Sequence, residues 1–163
     1  FFNFISLKLI ILSEMITIKF RRLSDKFQDI ELPTYLTEGC SGMDLRAAVE
    51  EDVVIKPFET KLIPTNLAVE IPFGYEGQVR PRSGLAAKNS ITILNSPGTI
   101  DSDYRGEIKV IITNLGCEDF VIHRGDRIAQ LVITKVEKVN IVEVDNLNET
   151  KRNDGGFGHT GIK

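Results

Sequence analysis

The sequence predicts an all-β domain, a jelly roll or barrel-like sandwich, with one short helix and a flexible C-terminal arm. Three observations predict it. Short runs rich in β-branched residues recur along the chain, which has 20 Ile and 12 Val among 163 residues, and such side chains suit a pleated surface. Turn residues divide the runs at close, regular spacing, as in sandwiches and barrels. Pro57, Pro64, Pro72, Pro81 and Pro97 fall at the edges of the runs, where a missing N–H is tolerated. The length suffices for one domain with a real core, and neither an internal repeat nor a second domain is visible.

Taken in order, Phe1–Leu12 is apolar but too short to span a bilayer as a helix. It lacks the basic start and small-residue cleavage site of a signal peptide. Residues 1–14 are read as an extension outside the fold, with a membrane-contacting segment as the weaker alternative. Met15 stands just before the alternating run Ile16–Phe20, so the β domain is read as residues 15–146. Further strand patterns are Met43–Val49, Val53–Ile55, Lys61–Ile63, Leu67–Ile71 and Gly77–Arg80. Then come Ile91–Leu94, Glu107–Thr113, Phe120–Ile122, Ile128–Val136 and Val139–Val144. Leu67–Ile71 alternates and reads as half-buried, whereas Ile108–Ile112 is nearly continuous and reads as central. Ser83–Asn89 is about two turns of helix, with Ser83 expected as its N-cap. From Asn146 the pattern dissolves, and residues 147–163 form the arm.

Net charge is −3 and the sequence pI about 5.5, which argues against broad nucleic-acid binding. Any anion must then be met by a local cluster of donors. Cys40 and Cys117 are far apart with no CxxC partner, so buried free thiols and a reducing, cytoplasmic setting are expected. His123 and His159 have no metal-ligand spacing, which leaves no zinc site. Neither a nucleic acid nor a membrane is expected as a partner.

The chemistry centres on Asn95–Val110, NSPGTIDSDYRGEIKV. Two β-rich runs joined through Ser96-Pro97-Gly98 read as a hairpin. Asp101 and Asp103 fall near its mouth, followed by Tyr104. On an extended segment both carboxylates share one face and Tyr104 takes the other. A carboxylate beside a concave β surface can orient and deprotonate water, or it can be a solvated turn residue, which is the reading favoured for Asp103. Pro81-Arg82-Ser83-Gly84 opens the helix, where free N–H groups and a forked cation suit an anion; plain capping with a surface Arg is the alternative. The tail Arg152…Gly155-Gly156-Phe157-Gly158-His159-Thr160-Gly161 could wrap phosphate with backbone N–H groups, or be disordered. It is not a Walker A loop, since the lysine-serine ending is absent. A lone Phe157 favours the first reading, because a flat ring can cover a base. Asp44 and Arg46 point to one side of their strand, where an ion pair is the simplest use. Arg124-Gly125-Asp126 runs into a buried-looking strand, which speaks against an adhesive RGD loop.

Together, SGMDLRAA (41–48), PRSGLA (81–86), NSPGTIDSDYRG (95–106), RGDRIAQL (124–131) and RNDGGFGHTG (152–161) resemble the five motifs of the trimeric deoxyuridine triphosphatases, the dUTPases. Order and spacing match across residues 15–163. His159 departs from the Ser that many members carry there, which puts one phosphate contact in doubt.

The resemblance implies a jelly-roll homotrimer with active sites at subunit interfaces, Mg²⁺ as cofactor, and hydrolysis of dUTP to dUMP and pyrophosphate. It implies that Asp101 orients the attacking water, that Tyr104 packs under the deoxyribose, and that Asn95 with the hairpin backbone reads uracil. Further substrate contacts follow at Thr99, Ile100 and Lys109. Arg82, Ser83, Gly84 and Gln130 would hold phosphates or their Mg²⁺ waters, with Asp44 in the outer shell of the metal. The arm would close over a neighbour's site, with Arg152 on the γ-phosphate, Phe157 on the base and Gly158 beside it. The rivals are a deoxycytidine triphosphate deaminase, which Tyr104 and the glycine-rich tail disfavour, and a non-catalytic nucleotide-binding protein. The second is disfavoured by the presence of Asp101, Arg82, Ser83 and Phe157.

Overall fold

The computed structural model describes residues 16–156. Eleven strands follow one another: β1 (Lys19–Arg22), β2 (Met43–Arg46), β3 (Val53–Ile55), β4 (Thr60–Pro64), β5 (Leu67–Glu70), β6 (Tyr75–Arg80), β7 (Ile91–Ile93), β8 (Gly98–Ile100), β9 (Lys109–Asn114), β10 (Phe120–Ile122) and β11 (Arg127–Lys135). The one α-helix among the described residues, α1 (Ser83–Asn89), links β6 to β7. All pairings are antiparallel, in sheets ordered β2-β11-β6-β8, β4-β9-β7, β1-β5 and β10-β3. This is the all-β, jelly-roll-like architecture that the sequence predicts.

One core unites the sheets. Leu45, Ile55, Ile63, Val69, Val79, Ile91, Ile100, Val110, Ile122 and Leu131 come from ten different strands and belong to one buried cluster, with Phe20 of β1 packed against it. Each buried branched side chain contributes about 1.5–3 kcal/mol relative to exposure. Asn114, fully buried at the end of β9, satisfies what the apolar core cannot: its Nδ2 donates to Ile55 O (2.9 Å) and Glu118 O (2.8 Å), and its Oδ1 accepts from Gly116 N–H (2.9 Å).

The hairpin forms in register, Ile91 opposite Asn114 and Ile93 opposite Ile112. Its loop carries the short strand β8, which leaves the hairpin and pairs with β6 in the other sheet, Gly77 opposite Ile100. Several expectations need correction. The free thiols are not buried: Cys40 is half-buried and Cys117 is exposed. Met43–Val49 is strand only to Arg46, because Ala47 N–H turns to Asp126 O (2.8 Å) and Ala48 N–H to Pro64 O (2.9 Å). Leu67–Ile71 is not half-buried: Ala68 is small enough to be covered together with Leu67 and Val69. Val139–Val144 forms no strand, and finds no partner among the described residues. Val139, Ile141, Val142 and Val144 stay exposed. No helix among the described residues is long and apolar enough to cross a membrane.

Candidate active site

The hairpin builds a cavity of about 350 Å³ lined by Leu62, Val79, Asn95, Gly98, Thr99, Ile100, Tyr104, Glu107, Ile108, Lys109 and Ile111. Five residues singled out from the sequence meet here: Asn95, Thr99, Ile100, Tyr104 and Lys109. One wall is β8. It is the last strand of its sheet, so the backbone donors and acceptors on its outer edge are taken by no other strand among the described residues. The Ser96–Pro97 peptide that leads into it is cis. Ile100 is buried while Thr99 and Asn95 are exposed.

The opposite wall is Tyr104, whose hydroxyl donates to Glu107 O at 3.1 Å. Residues 101–104 do not run extended, so the same-face arrangement of Asp101 and Asp103 fails. Tyr104 N–H closes a turn onto Asp101 O at 3.1 Å, with Ser102 and Asp103 at its tip. Asp101 leaves the end of β8 exposed, and its carboxylate has no ion-pair or hydrogen-bond partner among the described residues. Its carboxylate oxygens offer lone pairs that water can reach. Glu107 lines the pocket and lies 3.5 Å from Lys109 Nζ; its Oε1 accepts from Asn66 N–H at 2.9 Å. Sequence reading missed Glu107, because its neighbour across the fold is remote in the chain.

A second group lies further across the sheet that β8 ends. Gln130 of β11 stands opposite both Asp44 of β2 and Arg80 of β6, and directly paired residues share a face. Asp44 is ion-paired with Arg82 Nε (2.9 Å) and Arg127 (3.1 Å), so the ion pair expected for it forms, with partners from two other segments. Arg127 escaped sequence reading for that reason. Arg46 goes elsewhere, to Glu31 (2.7 Å) and Gly125 O (3.0 Å). Gln130 Nε2 donates to Pro81 O at 2.9 Å. The N-cap of α1 is Arg82 rather than Ser83, with no side-chain capping bond. Arg82 can only donate, and it turns instead to Asp44 and to Arg127 O (3.0 Å). Ser83 and Gly84 are exposed in the first turn, their N–H groups unclaimed by the helix.

A cleft of about 560 Å³ runs from this group toward the hairpin loop, lined by Gln78, Arg80, Pro81, Ser83, Ala86, Ser96, Pro97 and Gln130. It shares no lining residue with the hairpin pocket. Among the described residues no three His, Cys, Asp or Glu groups gather as a metal nest. Asp44 and Gln130 alone suit an ion that keeps most of its waters, as Mg²⁺ does.

Beyond Val136, whose N–H donates to Gly74 O at 2.8 Å, the described chain makes no hydrogen bond back to the sheets. Arg152 sits in a turn of its own, its Nε donating to Gly155 O at 2.7 Å and the Gly155 N–H donating to Arg152 O at 2.9 Å. Phe157, Gly158, His159 and Thr160 lie outside the described residues.

A family model for dUTPase matches residues 28–161. The deoxyuridine 5'-triphosphate nucleotidohydrolase of Thermoanaerobacter sp. is 58% identical over 139 residues, covering 85% of this chain and 94% of that protein. The enzyme of the same name from Caldanaerobacter subterraneus is 54% identical over 147 residues, covering 90% and 99%. Among solved structures, the Staphylococcus bacteriophage 80alpha dUTPase with dUpNHpp superposes with a TM-score of 0.80 at 27% identity, over 91% of this chain and 100% of that one. The dUTPase of phage phi11 of S. aureus, in which a structural Mg(II) ion is coordinated, gives 0.73 at 26% identity over 82% and 100%.

Proposed function

The chain belongs to the dUTPase family; it hydrolyses dUTP to dUMP and pyrophosphate, and we propose that the hairpin pocket is where it holds the nucleoside. The observation that carries this reading is the pocket itself: a free strand edge and Asn95 on one side, the Tyr104 ring on the other. A strand edge offers donors and acceptors in fixed order, as a pairing base does, and can match uracil while opposing the exchanged pattern of cytosine. A ring packed against C2′ leaves no volume for a ribose hydroxyl.

Asp101, at the end of β8, then lies beside the α-phosphate. Its carboxylate accepts the proton of a bound water as the new O–P bond forms, and the bond from the α-phosphorus to the bridging oxygen breaks to release pyrophosphate. The protein contributes mainly position and charge. Arg82, the first-turn N–H groups of Ser83 and Gly84, and Gln130 suit the phosphate oxygens. Mg²⁺ carried by the triphosphate would neutralise charge on the departing pyrophosphate, with Asp44 reaching its waters once released from Arg82 or Arg127.

We further propose that the complete site draws on more than one chain, in a homotrimer. The nucleoside pocket and the phosphate cleft share no lining residue within one chain. Leu62 and Leu94 are 56% and 64% exposed, and Val139, Ile141 and Leu147 are 77%, 89% and 87% exposed. Such apolar surface calls for a neighbour. The arm, residues 147–163, would then reach a neighbour's site, bringing Arg152 to the γ-phosphate and Phe157 with Gly158 to the base.

The test is to incubate purified protein with Mg²⁺ and each deoxynucleoside triphosphate, and UTP, and to measure pyrophosphate and the nucleotide product. Release from dUTP alone is expected. Ammonia from dCTP, or equal turnover of UTP, would overturn the reading.

A further inference from the structure

Gly106 has no place in the mechanism above, yet it lies against the wall of the nucleoside pocket. Its backbone is not in the left-handed region, which among the described glycines holds only Gly74 and Gly125. Conformational freedom is therefore not what the position needs. Space is. A Cβ at Gly106 would collide with the Tyr104 hydroxyl, and would lie 2.5 Å from its Cζ and 3.0 Å from its Cε2. Carbon atoms in contact prefer about 3.5–4.0 Å, so the ring would have to move by about 1 Å. The ring can move, since Tyr104 is 45% exposed. What it would leave is the hydrogen bond from its hydroxyl to Glu107 O. That carbonyl is set in place, because the Glu107 carboxylate accepts from Asn66 N–H and the next residue, Ile108, donates its N–H to Leu67 O at 2.7 Å.

We infer that Gly106 is a specificity-determining positioning residue: the missing side chain lets the Tyr104 ring lie flat over the turn, and so fixes where the sugar wall stands. The inference rests on the reading of Tyr104 as the wall that excludes a 2′-hydroxyl. Gly106 touches no substrate and acts through the ring alone.

Gly98 makes a parallel case on the base side, where a Cβ would stand 2.7 Å from Asn95 Nδ2. Gly106 is the cleaner test, because it meets a side chain whose effect on selectivity can be read directly.

The experiment compares the native protein, Gly106→Ala, Tyr104→Ala and the double variant. It measures kcat/KM for dUTP and for UTP, and the thermal midpoint of each. A displaced wall discriminates one hydroxyl-sized group less well, so Gly106→Ala should lower the dUTP/UTP ratio about 10-fold or more with its midpoint nearly unchanged. Tyr104→Ala should lower the ratio as well. The double variant should match Tyr104→Ala, because with the ring gone the added methyl has nothing to push. If Tyr104→Ala relaxes selectivity while Gly106→Ala keeps the native ratio, the inference fails and the reading of Tyr104 stands. If Tyr104→Ala keeps the native ratio, that reading fails and the inference with it. Losses that multiply in the double variant, or a collapse of the Gly106→Ala midpoint that removing the ring does not rescue, would show that Gly106 serves the backbone instead.

Discussion

Replacing Asp101 by Asn removes the charge and basicity of the side chain while keeping its size and a carbonyl acceptor. The structure separates the two consequences. The Asp101 carboxylate is exposed and has no ion-pair or hydrogen-bond partner among the described residues. The bond that shapes the turn, Tyr104 N–H to Asp101 O, is made by backbone and survives. The stability cost should therefore stay within about 0.5 kcal/mol, as for other surface changes. Binding should also persist, since Asn95, the β8 edge and Tyr104 are untouched. What is lost is the acceptor for the water's proton, about 10²–10⁴-fold in turnover, or roughly 3–5 kcal/mol of barrier. Single-turnover kinetics with dUTP, beside a titration with dUpNHpp, measures both quantities. The expected pair is a near-native dissociation constant and a slowed chemical step. An Asp101→Asn protein that binds poorly but hydrolyses at the native rate once saturated would refute the reasoning and assign Asp101 to shaping the pocket.

Deleting residues 151–163 should leave the thermal midpoint unchanged and abolish most turnover, because no hydrogen bond from the described part of that segment reaches the sheets; full activity would make the arm a passenger. Asn114→Ala should destabilise by about 2–4 kcal/mol, from one buried and two part-buried hydrogen bonds lost and the Ile55 carbonyl left bare, and a loss under about 1 kcal/mol in urea would contradict the anchor role. His123 Nδ1 lies 2.8 Å from Asp52, whose hydrogen bond and charge raise the imidazole pKa above its ordinary value, with Asp126 adding to the effect. A raised folded pKa adds stability that is fully present below the unfolded value and fades as pH rises through the folded one. Asp52→Asn should thus lower the midpoint slightly near pH 6 and not at pH 9; the reverse order would exclude the pair.

Much of this was legible in the sequence where side-chain period and turn chemistry agree. The runs at Val53–Ile55 and Phe120–Ile122 became strands with those bounds, and the hairpin through Ser96-Pro97-Gly98 formed in register. β8 was missed because Gly-Thr-Ile is too short to show a period and begins with a weak strand former. Its partner β6 is named by the topology, not by local sequence. Val139–Val144 shows the converse. It is rich in β-branched residues, but a strand needs a neighbour to take its hydrogen bonds, and none stands beside it among the described residues. Ser83 has the chemistry of a cap, yet the chain enters the helix one residue earlier, where Arg82 is drawn off by Asp44. Arg127 and Glu107 act across the fold, and such contacts leave no mark on spacing. The five motifs were visible, and their resemblance already implied uracil at Asn95 and the hairpin and phosphate at Arg82, Ser83, Gly84 and Gln130; that the hairpin pocket and the cleft beside α1 share no lining residue within one chain was not.

Subunit complementation asks whether the pocket of one chain works with the cleft of another. Asp101→Asn and Arg82→Ala proteins, each expected to be nearly inactive, are mixed, dissociated and reassembled. If the two residues serve one site from different chains, random assortment into trimers restores roughly a quarter of the sites, and activity rises to about that share of native. If each site lies within one chain, every site keeps one lesion and the mixture stays as inactive as its parents, which would contradict the account.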